Sequence, residues 1–212
     1  MFKTKAAAAA LMSLAFAGCA ADGELTPEGI TVTRSACPAV AIPAGTGDVT
    51  MFNPANSRDS SAIDVVANIT NVRSNCSEAG EFVVSNVSFE VQAQRRSAAG
   101  ARQVVLPYFA TVVQGGTNVV SKRIGAVALQ FAPGELRAST AGAATGQVLR
   151  SAATLPPEIR QQITRRRRSG DADAAIDPMA DPAVRAAVTR ATFELLVGFQ
   201  LTPDQLQYNA TR

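Results

Sequence analysis

The chain has 212 residues, with 20 Lys and Arg against 17 Asp and Glu, no His, no Trp and 5% aromatic residues. A nearly neutral chain so poor in rings offers neither a global field nor a stacking surface to nucleic acid, so no nucleic-acid partner is expected. Without imidazole, Ser-His-Asp and Cys-His catalysis and histidine-built zinc sites are excluded, while the length suffices for one domain with its own core.

Lys3 and Lys5 open the chain, and residues 6–17 follow without a charge. Crossing the hydrocarbon core of a bilayer takes about 20 apolar residues, so this shorter run reads as the apolar part of a secretory signal. At its exit, Phe16-Ala17-Gly18-Cys19 resembles a lipobox, the recognition site of bacterial lipoprotein precursors. The resemblance implies a signal peptide over residues 1–18, cleavage before Cys19, a diacylglycerol on its sulfur and an acyl chain such as palmitate on its amine. It departs from the family at Phe16, where Leu is usual. Ala20 and Ala21 follow the cysteine where Asp would mark retention in the inner membrane, so the resemblance points to the periplasmic face of the outer membrane. Ordinary cleavage after Ala17 or Ala20, leaving a soluble periplasmic protein, is the alternative reading. Either cut removes both lysines and no acid, which lowers the formal charge from +3 to +1.

In an oxidising compartment, with Cys19 lipidated, the remaining Cys37 and Cys76 are expected to form a disulfide. Their spacing is short for the bridge of antibody domains, and no Trp is present to pack on it, so only the general sandwich architecture is expected. Residues 19–28 are small and polar and suit a tether. Strands then follow. Ile30-Thr-Val-Thr alternates, Val49-Thr-Met-Phe runs into a polar turn at residues 53–61, and Ile63, Val65, Ala67 and Ile69 share one face. Residues 82–94 repeat the pattern with Val87, Phe89, Val91 and Ala93 inward. Residues 103–113 and 119–131 are β-branched runs joined by Gln114-Gly-Gly-Thr-Asn118, a hairpin signal. Pro107 in the first suggests an edge or a bend, and Gly125 in the second a bulge. Residues 138–153 are rich in small side chains and give no clear period.

Beyond residue 150 the character changes. Prolines at 156 and 157, Ile159 one turn before Ile163, and the run Arg165, Arg166, Arg167, Arg168 predict a helix whose last turn is positive. An acidic linker follows over residues 171–181, then a short helix opened by Asp181-Pro182. Residues 192–201 read as a buried strand, and Thr202-Pro-Asp-Gln205 has the form of a capping box. The expectation is therefore a mainly β, antiparallel β-sandwich, immunoglobulin-like in general architecture, over residues 29–150. A helical excursion over 151–191 and a return strand with a short C-terminal helix over 192–212 complete it.

No phosphate loop, dinucleotide fingerprint or Gly-x-Ser-x-Gly elbow occurs, so neither a cofactor nor catalysis is expected. The arginines at 165–168 are the sharpest local feature. Guanidinium forks suit an anionic lipid or an acidic envelope protein, while Asp171, Asp173, Asp177 and Asp181 close behind offer plain mutual neutralisation as the competing account. Asp171-Ala-Asp173 lacks the spacing and glycine of a calcium loop, so no metal is expected. Segments such as "ELLVGFQLTPDQLQYN" resemble stretches of small envelope lipoproteins of unknown function. The functional expectation is a lipid-anchored, non-catalytic binding or assembly module. A periplasmic receptor for a small apolar ligand is the alternative, and a carboxylate-based hydrolase comes third.

Overall fold

Alternation of apolar and polar side chains builds most of this molecule. The computed structural model describes residues 23–26, 29–32, 35–165, 170–172 and 175–211, the first two segments by backbone alone. The chain divides into two units between Ser35 and Ala36. In the first, β1 (Gly23–Thr26) and β2 (Gly29–Val32) pair antiparallel. Two expectations are corrected there. The alternating stretch at Ile30 lies outside the sandwich sheets, and part of the expected tether is a strand. A partner two residues away in sequence costs least to reach, which favours the local pairing.

The second unit carries β3 (Ala39–Ala41), β4 (Asp48–Phe52), β5 (Ile63–Ala79), β6 (Phe82–Arg95), β7 (Arg102–Gln114), β8 (Asn118–Phe131), β9 (Arg137–Leu149) and β10 (Phe193–Phe199). They form two four-stranded sheets, ordered β4-β5-β6-β9 and β3-β10-β7-β8, antiparallel except where β3 joins β10 in parallel. This is the mainly β, sandwich-like fold expected. Val65, Ala67 and Ile69 with Val87, Phe89 and Val91 bury the inner face of one sheet, against Leu106, Val112, Leu129, Leu195 and Val197 of the other. The return strand takes an interior place between β3 and β7, and it turns Phe193, Leu195, Val197 and Phe199 onto the core. Pro107 is no edge marker: β7 is paired on both sides, and the proline lies where β10 has already ended. The Gln200 N–H donates to the Pro107 carbonyl (2.9 Å).

Glycine is used for space rather than for a bulge. Gly125 pairs in register with Tyr108, and the register shift in that ladder falls at Val112/Val113 instead. A Cβ at Gly125 would overlap the Tyr108 ring, and one at Gly142 would overlap the Phe89 ring. The two rings meet edge-on with centroids 5.1 Å apart, and the Tyr108 hydroxyl donates to the Ala143 carbonyl of β9 (2.6 Å). Each aromatic lies on the backbone of its neighbouring strand, so a bridge of two rings joins the sheets.

One end of the sandwich is bolted by charge. The buried Arg95 guanidinium donates to the carbonyls of Gly100 (2.6 Å), Glu135 (2.8 Å) and Ala132 (2.9 Å) and lies over the Phe131 ring. Thus the turns after β6 and β8 are tied to one cation whose donors are satisfied without a carboxylate. Nearby, Arg102 of β7 grips Asp64 of β5 through two hydrogen bonds of 2.7 Å. That contact holds the Asp64 carboxyl below its ordinary value.

The excursion holds α1 (Arg150–Ala153), α2 (Pro157–Thr164), a short 3-10 turn and α3 (Pro182–Arg190); α4 (Pro203–Thr211) ends the chain. Asp181 accepts from the Ala183 N–H and caps α3, which buries Val184 and Ala187. Thr202 and Gln205 form the expected reciprocal capping box, each accepting from the other's backbone N–H (2.9 and 3.3 Å). The helix α2 ends at Thr164 with Arg165 as its C-cap, so its last turn holds no basic residue. No apolar side chain after Ile163 continues the packed stripe, and a short helix persists only where packing supports it.

Gly142→Ala should cost about 1–3 kcal/mol, because Phe89 is too buried to move aside; urea unfolding measures it. Asp64 also makes stability pH-dependent. Its folded pKa lies below the ordinary 3.8, so the contribution is complete above that value and is lost as pH falls through the lowered one. Unfolding midpoints followed down the acid limb should fall less steeply in Asp64→Asn than in the unaltered protein.

Candidate functional site

On one side of the sandwich the sheets end in β8 and β9. Among the described residues β8 pairs only with β7 and β9 only with β6, so each presents a backbone edge without a strand partner. Where β8 runs into β9 this side is shut, with Val127, Leu129 and Phe131 buried and the Tyr108 hydroxyl on Ala143. Towards the start of β8 it is open. Residues 118–124 are exposed throughout, including Val119 (58%), Val120 (50%) and Ile124 (56%). Beside them lies a groove of about 340 Å³ lined by Phe82, Val120, Arg123, Gln147, Val148 and Phe193, among others.

The expected hairpin and the helical excursion position this exposed half-strand. Gly115 and Gly116 take positive φ values of 61° and 80°, which close the turn before Asn118. The turn is then held from outside. The Gly115 N–H donates to the Thr192 carbonyl (2.9 Å), and the Gln114 side-chain amide to the Arg190 carbonyl (2.7 Å) at the end of α3. The excursion therefore fixes the start of β8 without covering it.

Both cations of the half-strand are exposed. Lys122 lies 5.2 Å over the Phe109 ring, and Arg123 lines the groove. No Asp or Glu lines the groove, and Arg123 makes no ion pair with another described residue. Backbone polar groups, aliphatic surface and positive charge thus occur together. This combination can bind a partner through main-chain hydrogen bonds, apolar contact and charge.

The residues singled out from sequence lie elsewhere. Cys37 and Cys76 form the expected disulfide, with Cα atoms 6.1 Å apart, joining the segment before β3 to β5 and hence one sheet to the other. Arg165 borders a surface hollow with Glu158, Asp177 and Asp181, where the signs of charge are mixed. Asp177 and Asp181 each accept from a backbone N–H two residues on, as caps. Cys19, Arg166, Arg167, Arg168 and Asp173 lie outside the described residues.

The exposed half of β8 was absent from the sequence-level candidates. Its signal was an apolar run that stops alternating at Val119-Val120 and then carries Lys122-Arg123. Among the described residues no group of three His, Cys, Asp or Glu could hold a metal ion, and no helix is long and apolar enough to cross a membrane. No known family, curated protein or solved structure matches the chain.

The disulfide closes a loop with a sequence separation of 39. Its reduction should lower stability by about 4 kcal/mol on the chain-entropy account. Unfolding with and without reductant checks this, with non-reducing peptide mapping to verify the bond.

Proposed function

We propose that the protein is a lipid-anchored component of the bacterial cell envelope whose sandwich is a non-catalytic binding or assembly module. One observation carries the module reading: an otherwise well-packed sandwich leaves half of β8 bare beside an apolar groove. Contiguous exposed aliphatic surface of this kind marks contact sites more often than idle surface. The opposite sheet turns Asn68, Gln92 and Gln94 outwards, and the other exposed large apolar side chains, among them Val105, Leu136, Ile176 and Leu206, are separated along the chain, whereas Val119, Val120 and Ile124 lie on one short stretch.

The anchor rests on Phe16-Ala17-Gly18-Cys19, with the outer membrane as its destination through Ala20 and Ala21. Two or more acyl chains hold a protein to a bilayer stably where one does not. On this reading the arginines at 165–168 offer a further contact for anionic lipid or an acidic envelope protein. A receptor for a small apolar ligand is the second reading, favoured by the buried Val148 and Phe193 that line the groove. Nothing in the groove favours a hydrolase, since it presents no carboxylate.

Cys19→Ser should abolish fatty-acid labelling and move the protein from the membrane to the soluble fraction; unchanged labelling and fractionation refute the anchor. A photo-crosslinking residue at Val120 should give specific adducts in cells, and one at Asn68 should not. Equal silence at both positions removes the module reading.

A further inference from the structure

We infer that the free edge of β8 takes up an extended, acidic polypeptide segment as an added strand. The inference deepens the binding-module reading and rests on it. The first ground is the repeat of the exposed groups. Beyond a bulge at Val120, the outer edge of β8 over residues 121–125 offers backbone N–H and C=O groups at strand spacing, and no strand among the described residues receives them. Another extended chain matches that periodicity, and a small apolar ligand does not. The groove adds the second element of strand addition, a hollow beside the edge for the newcomer's inward side chains.

Charge decides the character of the segment. Lys122 and Arg123 are consecutive in a strand, so they stand on opposite faces of the sheet. Lys122 lies over Phe109, while Arg123 enters the groove. An added strand would set its side chains beside both, one on each face. Opposite charges across neighbouring strands stabilise the pair and like charges oppose it. The same two cations disfavour a second copy of β8, because antiparallel self-pairing centred on residues 122–123 would bring cation against cation. The segment is also short. Beyond Gly125 the inner face of β8 is closed by the packed half of the sandwich, where Val127, Leu129 and Phe131 are buried.

The test uses the full chain in detergent micelles and a labelled peptide of about eight residues, the length of this half-strand at ~3.3 Å per residue. The peptide alternates valine and threonine around two central glutamates. It should bind about ten-fold more tightly than the same peptide with two central lysines, given the opposite sign of two cross-strand pairs. The preference should invert in the Lys122→Glu/Arg123→Glu variant, whose altered side chains are exposed in the parent. Methylating alternate backbone nitrogens of the peptide should abolish binding. Undiminished binding of the methylated peptide would overturn strand addition, and indifference to charge would overturn the acidic assignment. If the unaltered protein ignores the peptide while Lys122→Thr/Arg123→Thr self-associates, the cations serve only to keep copies apart and the inference fails. Persisting adducts at Val120 in that case would leave the module reading intact.

Discussion

Two aromatic rings resting on two glycines determine how this sandwich is closed. Phe89 reaches over Gly142 on one sheet, Tyr108 over Gly125 on the other, and the rings touch between them. A side chain at either glycine would displace a ring, and the contact that sets the spacing of the sheets at their open side would be lost. The Tyr108 hydroxyl completes the arrangement by donating to a carbonyl on the free edge of β9, so an edge group that would otherwise need water is satisfied from within. Closure on this side is therefore made by side chains rather than by a strand, and it reaches only as far as those side chains do.

The two ends of β8 follow from that limit. Near Phe131 the buried Arg95 gathers the carbonyls of both connecting turns and holds them together. Near Asn118 the constraint comes from the outside, through the hold of α3 on the Gly115 turn. The strand is thus fixed at both ends and bare along its first half. A strand already held at both ends loses little further conformational entropy on pairing, whereas a mobile loop would lose much more. The excursion, the least ordinary feature of the sequence, acquires a structural purpose here.

What could be read from the sequence follows from how much contrast each strand shows between its faces. Residues 63–69 and 87–93 were legible because apolar positions alternate strictly with polar ones. The capping box at Thr202 and the Asp181-Pro182 helix start were legible because a few local atoms determine them. β9 was not, since its inward positions must be small: Gly142 makes way for Phe89, and a Cβ at Gly146 would come within 3.0 Å of Leu195. Composition there records the size of a neighbour rather than the period of a strand. The interior place of β10 was hidden for a different reason, because strand order is a property of distant pairings. The bare half of β8 was read merely as apolar, since a run that no longer alternates looks the same whether both faces are buried or both are open.

That ambiguity bears on what the edge must balance. A free, partly apolar strand edge invites indiscriminate pairing, and proteins usually blunt such edges with prolines, bulges or charge. A bulge at Val120 breaks the start of this edge; beyond it residues 121–125 of β8 contain no proline and no further bulge, and their protection consists of Lys122 and Arg123. Charge differs from the other two devices in one respect. A proline or a bulge spoils the ladder for every partner, while a cation spoils it only for partners of the same sign and improves it for the opposite sign. An edge guarded only by charge is selective rather than closed. The apolar groove beside Arg123 then makes the selection worthwhile, because it rewards an accepted strand with buried surface as well as hydrogen bonds.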